Sequence, residues 1–426
     1  MKIFKKLLRV SHIEIISWLL YSLPFSLIFS RFIADLSIIL ISIIFLIFSI
    51  RDKKYKYYLN YFFYYFLLFY FYIVITSVFS YDILSSFFTS LTYIRFIFFS
   101  LAIWYVLDNN KKFSINFLKF LAISFLSLSI DSIIQFLFGE NILGWKKILE
   151  FRISSFFGKE LVMGSYIVRL FPLFFGLYFF HKENFKNDKI NFLIIILIFN
   201  TVLLSGERTS LFLLLLFFAT YFLVLNKYIF YQKKIFFFSF LAIFFVATFL
   251  FFSPIYKHRF ITSTQGLVFG EAKFTFFTYQ HESHYLSALK MFVDKPIIGV
   301  GVKQFRYLCD LEKYKINTLS CATHPHNIFI QFLAELGVVG ILFYSFVFYL
   351  ILREILKLIF LKKKNLYNKK KILFLNISII LCFFINLFPL VPSGNFFSNW
   401  LSIIFYIPLG FYLKLHFEKN YFVLIK

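Results

Sequence analysis

The stretch His324-Pro325-His326-Asn327-Ile328-Phe329-Ile330-Gln331-Phe332-Leu333-Ala334-Glu335-Leu336-Gly337-Val338-Val339-Gly340 gathers residues that could move a proton. A neutral imidazole can take the proton of a hydroxyl near neutral pH, so His326 suits a general base. The plainer reading is a surface histidine beside a proline turn. Asn327, Gln331 and Glu335 recur every four residues. On a helix they share one face, with Glu335 about 12 Å along the axis from Asn327. A carboxylate within an apolar run normally faces the bundle interior and has a partner. Glu335 therefore either supports the histidine or pairs with a buried arginine for structure. Gly337 and Gly340 read as positions of close helix packing.

His281-Glu282-Ser283-His284 adds two imidazoles. A metal-binding helix of the His-Glu-x-x-His kind puts its imidazoles four apart on one face, whereas these are three apart with no evident third ligand, so no metal is expected. Arg152, in Phe151-Arg152-Ile153-Ser154-Ser155-Phe156-Phe157-Gly158, and Arg208, in Ser205-Gly206-Glu207-Arg208-Thr209-Ser210, occupy two turns. Guanidinium matches phosphate oxygens in two parallel hydrogen bonds, so the pair could clamp a diphosphate. Taken singly, each reads as an interfacial or ion-paired arginine, and Glu207 could hold Arg208. Arg95, Asp131 and Arg169 fall in or near apolar runs and suggest a polar interior without naming its partners. Cys309 and Cys321 could pair in an oxidising compartment. No P-loop or other nucleotide-phosphate motif occurs.

These residues must be positioned by membrane helices. The hydrophobic share is 61% and the charged share 15%, outside the range of a soluble domain. The net charge of +25 could suggest nucleic acid, but Lys and Arg fall in short clusters between apolar runs, so no nucleic-acid partner is expected. Runs long enough to cross a bilayer predict about twelve spans: 13–30, 32–50, 58–80, 86–106, 114–138, 160–180, 190–205, 209–225, 235–254, 327–350, 373–391 and 398–416. The basic clusters lie at the N-terminus, Arg51 to Lys56, Lys111-Lys112, Lys182 to Lys189, Lys227 to Lys234, Arg353 to Lys371 and after Lys414. All share one side if the N-terminus is cytoplasmic, as short cytoplasmic loops require. The start Met1 to Lys6 leads into an apolar run without a small-residue cleavage site, so the first span is expected to remain as an anchor. The opposite side carries Gly139 to Glu160 and a large loop, 252–325. The expected fold is an all-α polytopic transmembrane helical bundle, a single integral-membrane domain over 1–426, because spanning backbone must satisfy its own hydrogen bonds.

In order, Arg152 to Gly158, Ser205 to Thr209, and Asp294-Lys295-Pro296-Ile297-Ile298-Gly299-Val300-Gly301 followed by His324 to Gly340 resemble the O-antigen ligases and the related O-antigen polymerases over 152–340. The His-Asn entering a span, with Glu-x-Gly further on and Pro-x-x-Gly-x-Gly before it, is the specific part. The resemblance implies an inner-membrane, multi-pass glycosyltransferase with cytoplasmic termini and an active site on the periplasmic face. It would transfer an undecaprenyl-diphosphate-linked glycan to a sugar hydroxyl, with inversion and with no metal or cofactor. The ligase type would use the lipid A core as acceptor, the polymerase another lipid-linked glycan. By the same resemblance His326 is catalytic, Arg152 and Arg208 bind the diphosphate, and Glu335, Asn327 and His284 support them. Many members carry an arginine around the place of His281 to His284. None aligns here, which leaves a third phosphate contact in doubt, with His284 a weak substitute. A transporter or flippase for lipid-linked sugars would show paired, interrupted spans in two halves, whereas these polar residues gather around one large loop. A structural or assembly partner in polysaccharide export is a third reading.

Overall fold

The computed structural model describes residues 11–181, 188–225, 253–262, 278–360 and 370–417. The principal helices are α1 (His12–Phe29), α2 (Arg31–Arg51), α3 (Tyr61–Val78), α4 (Ile83–Thr92), α5 (Arg95–Asn109), α6 (Phe113–Phe138), α7 (Met163–Phe180), α8 (Asp188–Leu204), α9 (Arg208–Leu225), α10 (Tyr279–Asp294), α11 (Ile328–Phe360), α12 (Lys370–Asn386) and α13 (Asn399–Phe417). Local chemistry sets several of their starts. Ser11 and Glu14 close a reciprocal capping box on α1, and Ser30, Asn60 and Asp82 accept N–H groups in the first turns of α2, α3 and α4. At the other end of α6, Gly139 takes φ +86° and turns the chain out of the helix.

Among the described residues nine helices are long and apolar enough to cross a membrane, with α4 and α5 taken as one run, and the apolar parts of α8 and α12 are shorter. Large apolar side chains such as Phe32, Leu68, Leu84 and Leu342 point outward, as lipid permits and water does not. The protein is an integral-membrane helical bundle. α7 packs on α12, α5 on α13, α2 on α5 and α6 on α8 around one extended apolar core. Eleven of the twelve expected spans coincide with helices. The expected span 235–254 lies almost wholly outside the described residues, as do residues 263–277 of the large loop.

Two spans differ from expectation. The run 86–106 is divided at Tyr93-Ile94, and Arg95, opening α5, pairs with Asp35 of α2 at 2.8 Å. α11 runs on to Phe360 and is broken at Gly337, where φ is +63° and ψ −159°, a conformation essentially confined to glycine. The break is filled from outside the helix. Val300 and Gly301 donate their N–H groups to the carbonyls of Ala334 and Glu335 at 3.0 and 2.9 Å, and Val338 donates to Pro296 O at 2.8 Å. A Cβ on Gly299 would strike the Glu335 backbone, and one on Gly337 would strike the Ile297 carbonyl. Gly337 is thus the seat of an inserted loop rather than a helix-packing position, and the Pro-x-x-Gly-x-Gly element is what sits in it.

That insertion anchors a small cap with its own core of Ala288, Met291, Val300, Phe305, Leu308 and Tyr314, which reaches Ala334 of α11. Cys309 and Cys321 form a disulfide with Cα atoms 4.9 Å apart, and Gln304 ties the cap to the α3–α4 turn through the Asp82 N–H at 2.7 Å. Gly337→Ala should lower the thermal midpoint of the purified protein, since the backbone conformation alone costs about 1–3 kcal/mol in a residue with a Cβ. An unchanged midpoint would contradict the inserted-loop account.

Candidate functional site

The N-terminus of α11 carries the first half of the site. Asn327 caps it: its Oδ1 accepts the Ile330 N–H at 3.0 Å, and its amide donates to Pro389 O at 2.7 Å and Val391 O at 3.2 Å. The residue before it, His326, is held at φ +56°, and its carbonyl accepts the Ser393 N–H at 2.8 Å. Histidine tolerates this left-handed conformation better than most residues, but it persists only where the surroundings impose it. The α12–α13 connection does so here.

The ring of His326 lies among three other imidazoles. Its centroid is 4.1 Å from that of His324 and 5.3 Å from those of His281 and His284. His281 and His284 come from the first turns of α10, which Thr278 caps. His324 is oriented through both ring nitrogens: Nε2 donates to Ser393 O at 3.2 Å, and Nδ1 accepts the Thr323 hydroxyl at 2.9 Å. His284 is fully buried, and neither of its ring nitrogens has a hydrogen-bond partner among the described residues. Burial first, then the neighbouring imidazoles, pushes His326 down to about 3. Burial likewise pushes His281 and His324 to about 4 and lowers His284. The cluster is therefore neutral at physiological pH, a state that can accept a proton. Among the described residues no group of three or more His, Cys, Asp or Glu is arranged to hold a metal.

Glu335 is fully buried on the same face of α11. Its oxygens accept from the Gln331 amide at 2.9 Å and the Phe305 N–H at 3.4 Å. Gln331 in turn donates to Asn395 and accepts the Phe396 N–H at 3.0 Å. The ladder Asn327, Gln331, Glu335 thus joins α11 to the cap and to the α12–α13 connection. No buried arginine is needed to hold the carboxylate.

The second half of the site is cationic. Asp131 and Gln135 of α6 gather the loop after it: Asp131 accepts from Ile142 N–H at 2.9 Å and Ser155 hydroxyl at 2.5 Å, and Gln135 Oε1 accepts the N–H groups of Ser154 and Ser155. Ile153 N–H then donates to Leu204 O at 3.1 Å. This brings Arg152 against the α8–α9 turn, where Gly206, at φ +61°, lies so close that a Cβ would strike Phe151 O. Arg152 donates from Nη2 to Leu161 O at 3.0 Å, and its buried Nε has no partner among the described residues. From a third segment Arg259 donates from Nε to Gly206 O at 3.1 Å, its guanidinium 5.0 Å over the Phe151 ring.

Arg152, Arg208 and Arg259 are near enough to repel one another. Burial and the charges of Arg208 and Arg152 lower Arg259 to about 10, and burial lowers Arg152. Arg208 also acts on His281, so the cationic and imidazole halves adjoin. Glu207 is occupied as a cap for α7, accepting from Gly164 and Ser165 N–H groups at 2.8 and 3.0 Å and from the Ser210 hydroxyl at 2.9 Å. Like charges drawn together in a partly desolvated place are able to attract an anion.

Residues 193–345 match the family model of the O-antigen ligases. The match begins in α8 and ends in α11, taking in Arg208, Arg259, the four clustered histidines and Glu335, while Arg152 precedes it. It supports membrane glycosyl transfer of the ligase or polymerase type, between a lipid-linked glycan and a glycan acceptor. No curated protein matches the chain.

Sequence reasoning missed Arg259, His281 and His324 as members of the site. Arg259 lies about twenty residues before His281, and two histidine pairs at short spacing were the available signal for the imidazole cluster. Arg169, by contrast, is buried with the Asn386 side chain at 2.9 Å and serves to join α7 to α12.

Imidazoles lowered on folding contribute stability that is present above their unfolded value near 6.5 and is lost as pH falls below it, because only the unfolded chain then gains protons. Wild type should lose thermal stability relative to His324→Gln between about pH 6.5 and 4. A constant difference over that window would contradict the buried, neutral cluster.

Proposed function

We propose that this protein transfers a glycan from an undecaprenyl-diphosphate carrier to a sugar hydroxyl at the periplasmic face of the inner membrane, in the ligase manner with a lipid A core acceptor, and without a metal. The observation that carries this reading is the meeting of three arginines from three segments with an imidazole cluster centred on His326. The arginines suit a diphosphate, which offers several oxygens to guanidinium pairs. In the step proposed, the acceptor oxygen attacks the anomeric carbon as its proton passes to the His326 ring. The bond from that carbon to the diphosphate oxygen breaks on the opposite face, which inverts the centre. Arg152, Arg208 and Arg259 take up the charge that grows on the leaving diphosphate. Glu335 and Asn327 act by fixing the helix that presents His326, and His284 by packing against its ring. The basic end of the bundle faces the cytoplasm in this reading, as positively charged loops do.

The test is transfer by the purified protein from an undecaprenyl-diphosphate glycan to lipid A core, with a chelator present. His326→Ala should lose roughly 10²- to 10⁴-fold in rate, the usual worth of a general base, with the chelator harmless to wild type. Lengthening of the lipid-linked glycan in place of transfer to the core would assign the polymerase reaction. Absence of both products would remove the enzymatic reading. Arg259→Lys should remain impaired, because a point charge does not replace a planar pair of donors; full activity in that variant would place the diphosphate elsewhere. The acid limb of kcat/KM, which reports the free enzyme, should lie well below pH 6.5, and a limb at or above that value would mean that His326 is not the buried imidazole described above.

A further inference from the structure

A cavity of about 580 Å³ lies among α3, α11, α12 and α13. That is the size of a small-molecule site. Its walls include Phe62, Phe69, Phe343, Val347, Phe383 and Phe405. The tyrosines among them do not make it polar: Tyr65 donates to Phe343 O at 3.0 Å, and Tyr344 donates to Leu387 O. An apolar space of this kind gives water no partners, whereas a hydrocarbon chain fits its chemistry.

The two ends differ. The inner end is closed by Phe332 and Phe396, and the Phe396 N–H belongs to the Gln331 network beneath the histidine cap. The other end is lined by Arg353, Glu354 and His416, roughly 40 Å from His326 by helical rise along α11. Arg353 and Lys357 there are 45% and 47% exposed and share the single carboxylate of Glu354. Among the described residues, Arg353 and Lys357 thus set two cations against one carboxylate at this end of the apolar cavity.

We infer that this cavity binds an anionic phospholipid of the leaflet at the basic end of the bundle, with an acyl chain between α3 and α11 and the phosphate at Arg353. Such a lipid would fill the space beneath the Gln331 network and so brace the helix that presents His326. The proposal requires only that the bundle is embedded in a membrane and stands apart from the catalytic reading.

Protein purified in mild detergent should carry phosphatidylglycerol in its lipid extract by mass spectrometry. Its thermal midpoint should be higher in phosphatidylglycerol nanodiscs than in phosphatidylcholine nanodiscs. Val347→Trp and Leu350→Trp, each filling the cavity, should lose the retained lipid while keeping a midpoint in detergent close to wild type. Arg353→Gln should weaken the preference for the anionic lipid by about fivefold, the worth of one cation near an anionic surface. Equal midpoints in the two lipids, undiminished lipid in both tryptophan variants, or a prenyl lipid as the retained species would each overturn the proposal.

Discussion

Everything at the site depends on the backbone pairing between Pro296–Gly301 and the broken turn of α11. Inside a membrane an unpaired carbonyl or N–H is costly, so a helix can break only where another part of the protein takes up the freed groups. Val300, Gly301 and Pro296 do this for Ala334, Glu335 and Val338. The same contacts bring a polar cap, stiffened by the Cys309–Cys321 disulfide, down onto a membrane helix. The two histidines of α10 arrive with that cap, and the two before α11 arrive with the helix.

The imidazoles and guanidiniums reach one place by different routes. His326 is imposed by its own backbone, Asn327 and Ser393. Arg152 is delivered by Asp131 and Gln135, which fold the loop after α6 onto the α8–α9 turn, and Arg259 by its bond to Gly206. The hydrogen bonds that place Arg152 and Arg259 go to the neutral carbonyls of Leu161 and Gly206, which leaves the charge of these two guanidiniums unneutralised by those contacts. Neutral imidazoles beside that charge are what proton removal from an acceptor next to a diphosphate would require.

Much of the bundle was legible in the sequence because lipid exposure leaves long apolar runs, and these appear as helices α1 to α9 and α11 to α13. The position of His326 at the join of loop and span was legible too. The division at Tyr93-Ile94 and the break at Gly337 were not, since a glycine that seats a loop has the same local pattern as one that packs a helix. The partners of Arg95, Asp131 and Arg169 depend on side chains far away in sequence. Arg259 escaped for a related reason: its place is set by Gly206 and Phe151, and nothing in its own neighbourhood announces those contacts.

The central claim is that Arg152, Arg208 and Arg259 form one diphosphate site beside His326, and a structure of the protein with undecaprenyl diphosphate bound tests it most directly. The phosphates should lie within hydrogen-bond distance of those three guanidiniums, with the sugar-bearing end turned towards the His326 ring. Phosphates seated instead among the cations near Arg353, or a site in which the three arginines make no contact with them, would contradict the account.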